Sequence, residues 1–302
     1  MERTLKTLTQ SYGVVAAEVP LLLPARLRLS GPPKGGVAFA DRWRSAPKRG
    51  QRVICGEMLA NCWGAGRALA LPIGQSVKLG RLEIRLGHAG SSPEASLLKN
   101  VHDGQRLTCA LAARWPASPG SESADVTDSD VILIDASHLH LPRSPDQAVL
   151  TALRSALSQN SVALWVDDWR IAIAMSHALA TDDLEILFGP GVIAPNRRFG
   201  ATKSRPWRKA LRTGQLGIWP LSARGRAPGH QRSLALLNHS DAGDLHWRIE
   251  PDVDAASELI ALSGAHTALL WGSRAEMAES LAAQLKSVDV IRLESDSQLS
   301  LV

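Results

Sequence analysis

Asp135, His138 and His140 form an Asp-x-x-His-x-His pattern directly after an apolar run. Strand ends of this kind are where α/β proteins often place function. On an extended chain, residues two apart point the same way, so the two imidazoles could share a metal ion with the carboxylate. No flanking cysteine or adjoining carboxylate completes a ligand set, and the residues read more simply as the polar edge of a loop. Asp167 and Asp168 with His177 offer the groups that general acid–base chemistry uses. Asp168 nevertheless opens an apolar helical stretch, which suits a helix cap, and His177 falls far along the same stretch. Ser91-Ser92 follow Gly90 without the G-x-S-x-G spacing of a nucleophile elbow, and neither G-x-G-x-x-G nor G-x-x-x-x-G-K-[ST] occurs.

A stronger signal is charge. Between residues 186 and 240 stand ten basic residues and no Asp or Glu: Arg197, Arg198, Lys203, Arg205, Arg208, Lys209, Arg212, Arg224, Arg226 and Arg232. Taking those ten charges from the net +5 leaves −5 for the rest of the chain, so the positive charge belongs to one segment. Cations concentrated in this way attract polyanions far better than the same number spread evenly. The first nine are the expected nucleic-acid contacts. Trp207 and Trp219 lie among them, and rings interleaved with cations suit single-stranded nucleic acid, by stacking plus phosphate contacts; tryptophan is as commonly buried.

These residues need elements to hold them. Short apolar runs predict strands at 37–40, 52–55, 82–86, 95–98, 107–111 and 131–134, with a short helix from Glu57 and a Pro/Ser/Gly/Asp-rich loop over 114–128. A second series follows: helix 147–157, strand 162–166, helix 168–179 and strand 184–188. Pro195, Pro206, Pro220 and Pro228 break the basic segment into loops and short elements. Helix 253–262, strand 266–271, helix 274–285 and strand 288–293 close the pattern, which predicts a layered α/β fold.

With 302 residues, 45% of them hydrophobic and 21% charged, the chain has the make-up of a globular protein with a sizeable core. No apolar run reaches the roughly 20 residues of a membrane helix, and residues 1–10 are polar and basic, unlike a secretory leader. Cys55, Cys62 and Cys109 are scattered, giving neither a disulfide framework nor a CxxC zinc site. A cytoplasmic protein is the expectation.

Several phrases resemble the metallo-β-lactamase-fold nucleases that carry a β-CASP insertion, and among them the bacterial exonucleases associated with DNA ligases. The family's His-x-His-x-Asp-His loop is matched by Val37-Ala38-Phe39-Ala40-Asp41-Arg42, in which Val37, Phe39 and Arg42 stand at the histidine positions and only Asp41 is kept. Arg52-Val53-Ile54-Cys55-Gly56-Glu57 is similar to the next family phrase, and residues 71–84 resemble its following hairpin. His88-Ala89-Gly90-Ser91 puts Ser91 where a metal-binding histidine belongs, and Cys109-Ala110-Leu111 has no acid where the bridging aspartate belongs. Asp135-Ala136-Ser137 resembles the signature that opens the insertion, and 221–226 the loop that closes it. In Glu250-Pro251-Asp252-Val253-Asp254, Asp252 takes a histidine position; in Leu270-Trp271-Gly272, Trp271 takes the last one.

The resemblance implies an αββα metallo-β-lactamase-like sandwich formed by residues 1–144 and 233–302, with a β-CASP-like α/β lobe at 145–232. Val, Phe and Trp have no lone pair to give zinc, so it also implies a chain that holds no metal or other cofactor and does not catalyse hydrolysis. Such a chain would bind DNA or RNA and serve as partner of an active nuclease, ligase or helicase, away from membranes. The alternatives are a hydrolase with its site moved to Asp135, His138 and His140, and a structural subunit that contacts protein only.

Overall fold

The computed structural model describes residues 21–22, 37–41, 53–64, 66, 68–79, 82–102, 104–141, 143–238 and 243–293. Four short strands, β1 (Leu21–Leu22), β2 (Val37–Ala40), β3 (Val53–Gly56) and β4 (Leu69–Leu71), pair in parallel in that order, with helix α1 (Glu57–Trp63) between β3 and β4. Strands β5 (Ser76–Leu79), β6 (Leu82–His88), β7 (Ser96–His102) and β8 (Gln105–Ala110) then form an antiparallel meander, and β9 (Val131–Asp135) joins β8 in parallel.

From β9 the chain leaves for a second lobe: α2 (Asp146–Leu157), β10 (Val162–Val166), α3 (Trp169–Ala178), β11 (Ile186–Phe188), α4 (Ile193–Phe199), β12 (Arg205–Pro206), β13 (Leu216–Pro220), a 3-10 turn (Leu221–Arg226), β14 (Arg232–Leu237) and β15 (Leu245–His246). It returns through α5 (Val253–Ser263), β16 (Thr267–Trp271), α6 (Ala275–Gln284) and β17 (Asp289–Leu293). Strand β16 lies beside β9, with Trp271 opposite Asp135, so the chain comes back next to the point it left. The larger sheet has seven strands in the order β17-β16-β9-β8-β7-β6-β5.

Alternation along the strands builds the layers. In β9, Val131 and Leu133 face Phe39, Ile54 and Leu71 of the four-stranded sheet, whereas Ile132 and Ile134 face Leu259 and Ile260 of α5 and Leu281 of α6. The outer side of the small sheet is covered by Leu59 and Ala60 of α1, which pack on Ala40, Val53 and Cys55. Among the described residues the order of layers is therefore helix, sheet, sheet, helices. A strand buried on both faces has no need of polar residues, which is why β9 reads Val-Ile-Leu-Ile before its terminal aspartate.

The second lobe carries six parallel strands in the order β12-β11-β13-β10-β14-β15. Val162, Leu164 and Val166 of β10 meet Ile171 and Met175 of α3 and the stripe Val149, Leu150, Leu153, Ala156 and Leu157 of α2. That stripe has the helical spacing that makes 146–157 amphipathic. Asp168 caps α3 by accepting from Arg170 N at 2.8 Å, as expected from the sequence. Asp252 caps α5 in the same way through Ala255 N at 2.8 Å, and Gly264 ends it at φ 70°.

The strands and helices expected outside the basic segment are present with ends shifted by a few residues, in a mixed α/β protein with several sheets. One expectation needs correcting. Strands β14 and β15 hydrogen-bond into the six-stranded sheet, so that sheet runs on to His246 rather than stopping at 232. The basic segment consists, as expected, of loops and short elements, here α4, β12 and β13, with Pro206 and Pro220 standing at strand ends where a missing N–H does no harm. No helix of the described residues is long and apolar enough to cross a membrane.

Candidate nucleic-acid interface

The basic segment closes the face of the six-stranded sheet opposite α2 and α3. There Ala163 and Trp165 of β10 and Trp219 of β13 form the floor, and Trp207 and Leu211 lie on it. Trp165 and Trp207 are near-parallel at 6.4 Å, Trp207 and Trp219 are edge-to-face at 5.3 Å, and the His230 ring meets Trp165 edge-on at 5.3 Å. Trp207 crosses β13 at Gly217, where a Cβ would stand 2.5 Å from the indole Cε3. Both indole N–H groups donate to carbonyls of the same covering layer, Trp207 to Lys209 O at 3.0 Å and Trp219 to Ala223 O at 2.9 Å. Trp207 and Trp219 are 3% and 5% exposed, so the stacking on bases considered from the sequence is closed to them.

With the rings turned inward, the intervening side chains turn out. Trp207 and Leu211 are buried while Arg208, Lys209 and Arg212 are exposed, and Arg224 and Arg226 are exposed on the 3-10 turn. The Arg224 guanidinium lies 5.5 Å above the Trp165 ring, which positions its charge at the surface of the layer. Arg197 and Arg198 stand in the last turn of α4, and Arg198 Nη1 donates to the Cys62 carbonyl of α1 at 3.1 Å. Burial pushes the Cys62 thiol above its ordinary pKa, and the Arg198 charge works the other way. Lys203 and Arg205 lie at the sheet edge, in a recess of about 360 Å³ shared with Thr202, Asp183 and Glu185. Arg205 pairs with Glu185 at 2.6 Å, and the hydrogen bonds from Arg205 and Gln215 hold that carboxyl below its usual range. All nine expected contacts, and Arg232 on β14, are exposed, and Arg205 alone of the ten pairs with a described carboxylate.

The other sequence candidates fall apart as sites. Asp135 is 2% exposed and accepts from Ser137 N at 3.2 Å and Ser137 Oγ at 2.6 Å. His138 and His140 follow in a turn rather than on an extended chain, so the geometry that would aim both rings at one ion is not formed. His177 Nε2 bonds Phe199 O at 2.7 Å, far from any pairing with Asp168, whose carboxylate is taken up by Arg170.

The positions that the resemblance assigns to metal ligands are filled by other contacts. Phe39 sits in the core at 3% exposure and Ser91 is fully buried. Asp252 is occupied as a helix cap, and Trp271 ends β16. Arg42 lies outside the described residues. Asp41 is buried, and its carbonyl accepts Ser96 N at 2.8 Å, tying the small sheet to the large one. Among the described residues no group of three or more His, Cys, Asp or Glu could hold a metal ion, so this donor set does not fit a two-metal centre.

The sequence did not announce a buried ionic junction where the chain passes between lobes. Arg114, wholly buried, donates to Arg248 O at 2.8 Å, to Pro116 O at 2.9 Å and to both Asp146 oxygens at 2.8 Å, with Trp247 against its face at 5.1 Å. Desolvation lowers its pKa to about 10, against the pull of Asp146. Nearby, Arg170 binds Asp168 and reaches Glu250 Oε1 at 3.1 Å. Burial opposes the Arg170 charge, but these two carboxylates outweigh it and hold its pKa above the ordinary value. Asn238 binds the cluster through Glu250 Oε2 at 2.7 Å, Asp167 Oδ1 at 2.7 Å and Ile249 N at 2.7 Å, and its carbonyl accepts from Arg248. An arginine in the first turn of a largely apolar helix, Arg170 just before Ile-Ala-Ile-Ala, was the one available signal.

No family model and no curated protein matches this chain. Its structure is similar to that of a protein of unknown function from Enterococcus faecalis V583, at a TM-score of 0.53 and 11% identity, over 88% of this chain and 80% of that one. The likeness is one of fold.

Proposed function

We propose that this chain is a nucleic-acid-binding protein, a non-catalytic relative of the metallo-β-lactamase-fold nucleases whose β-CASP-like lobe presents the binding layer. One observation carries the reading: from 186 to 240 every cation is exposed, no acid interrupts them, and the aromatic rings between them are turned into the sheet. Lys and Arg held out from a rigid layer replace condensed counterions on a phosphate backbone, which gives affinity without chemistry. The helix–sheet–sheet–helix layering, with a lobe inserted after β9, supports the family reading. So does the mismatch of Phe39, Ser91 and Trp271 with metal ligation, which favours binding over hydrolysis. A scaffold of this kind would act beside an active nuclease, ligase or helicase.

The test is fluorescence anisotropy with labelled nucleic acid. The unaltered protein should bind with an affinity that falls steeply as salt rises, and the quadruple variant R208E/K209E/R224E/R226E should bind at least about 10-fold more weakly. R274E/K286E, which changes exposed cations on the other lobe, should leave affinity unchanged. Equal affinity of the quadruple variant and the parent would refute the reading and leave a subunit that contacts protein only.

A further inference from the structure

We infer that the basic layer grips double-stranded nucleic acid by its phosphate backbone, without stacking on bases and without regard to sequence; this rests on the nucleic-acid reading above. Single-strand binders add base stacking on exposed rings to a cationic groove. Here that second component is missing. Phe188, Phe199, Trp207 and Trp219, the phenyl and indole rings of the basic segment, are all buried, and among the described residues no Phe or Trp belongs to the exposed class. Trp207 and Trp219 are not poised to emerge, because each is fixed by a hydrogen bond to the layer that covers it and Trp207 rests in the notch at Gly217.

What remains is attraction between cations and phosphates. A duplex carries twice the charge per unit length of one of its strands and releases more counterion per phosphate neutralised. When stacking contributes nothing, the denser polyanion wins. Sequence readout needs an element that reaches base edges in the major groove, usually an α-helix. The α-helix of the basic segment, α4, has seven residues, and the cations on the sheet-covering layer sit on irregular chain and on the 3-10 turn. Arg208, Lys209, Arg212, Arg224 and Arg226 can reach phosphates from there, but nothing behind them can enter a groove.

The experiment uses the full chain, a duplex of about 20 base pairs, one strand of that duplex and a second duplex of shuffled sequence, in anisotropy titrations across a salt series. The duplex should bind at least about fivefold more tightly than the strand, with the two duplexes within about twofold of each other. Five phosphate contacts give a log–log salt slope of about −4 to −5 on the duplex, and R224Q/R226Q should flatten it by about 2. A strand bound as tightly as the duplex, or duplex sequences separated by more than about 10-fold, would overturn the inference while leaving nucleic-acid binding in place. Absence of binding to all three ligands would overturn both.

Discussion

Removing the Asp146 carboxylate should destabilise the protein more than removing the arginine it faces. Arg114 is 0% exposed at its side chain and Asp146 25%. In Asp146→Ala the guanidinium stays in the interior with two carbonyls and the Trp247 face, losing its hydrogen-bonded carboxylate and keeping only the weaker pull of Asp252. Stranding one partner of a buried pair costs about 3–5 kcal/mol, and the carbonyls that remain place this site near the lower end. For a chain of this size that is a fall in melting temperature of roughly 6–12 °C. In Arg114→Met the carboxylate left behind is partly wetted and stands in the first turn of α2, where the helix end favours a negative charge, so the loss should be smaller. The double variant should regain a good part of the Asp146→Ala loss, because an apolar side chain of similar length replaces the stranded charge. Thermal melts of the three variants complete the cycle. If the two single losses simply add in the double variant, the pair is not coupled and the junction is not held by charge.

Gly217→Ala should destabilise by about 1–3 kcal/mol, since its Cβ would enter the Trp207 ring at 2.5 Å; melting together with tryptophan emission checks it, and a melt unchanged from the parent would count against the packed notch. Cys55 is fully buried, and desolvation, with Cys62 nearby, pushes its thiol from 9.0 up to about 12. The folded state then keeps a proton that the unfolded state releases, so stability should be intact below about pH 9 and fall by up to about 1.4 kcal/mol per pH unit above it. Urea midpoints at several alkaline pH values should show a shallower decline in Cys55→Ala; identical slopes would refute the assignment. In native protein Cys62, half-buried at the end of α1, should react with a thiol reagent before Cys55 and Cys109, which should wait for unfolding.

Much of the fold was legible because its central strands are buried on both faces. Runs such as Val131–Asp135 and Val162–Val166 have no amphipathic compromise to make, so composition alone marks them. Helices α2, α3 and α5 announce themselves by apolar spacing, and α3 by the Asp168 cap as well. The strands of the basic segment were hidden for a local reason. β13 reads Leu-Gly-Ile-Trp-Pro, and its glycine and proline are turn residues in most contexts. Here Gly217 is required by the ring that lies across it, and Pro220 ends the strand. The ionic junction was hidden because Arg114, Asp146, Arg170 and Glu250 are distant in sequence and polar residues scattered one at a time carry no periodic signal.

The same stretch, Trp-Arg-Lys-Ala-Leu-Arg at 207–212, is compatible with two opposite surfaces, and side-chain direction decides between them. Were the rings outward, the cations would frame a stacking platform and a single strand would be the natural ligand. With Trp207 and Leu211 inward the tryptophans become the fastening of the layer, and the arginines and lysine become its outer face. The spacing of four between Trp207 and Leu211 cannot settle the matter by itself, because either face of that pattern is self-consistent. The deciding residue is ten positions away on another strand: a side chain at 217 would displace the ring, and glycine lets it lie flat. Which side chains face outward is thus set from beneath, by a buried residue that contributes nothing to the surface itself.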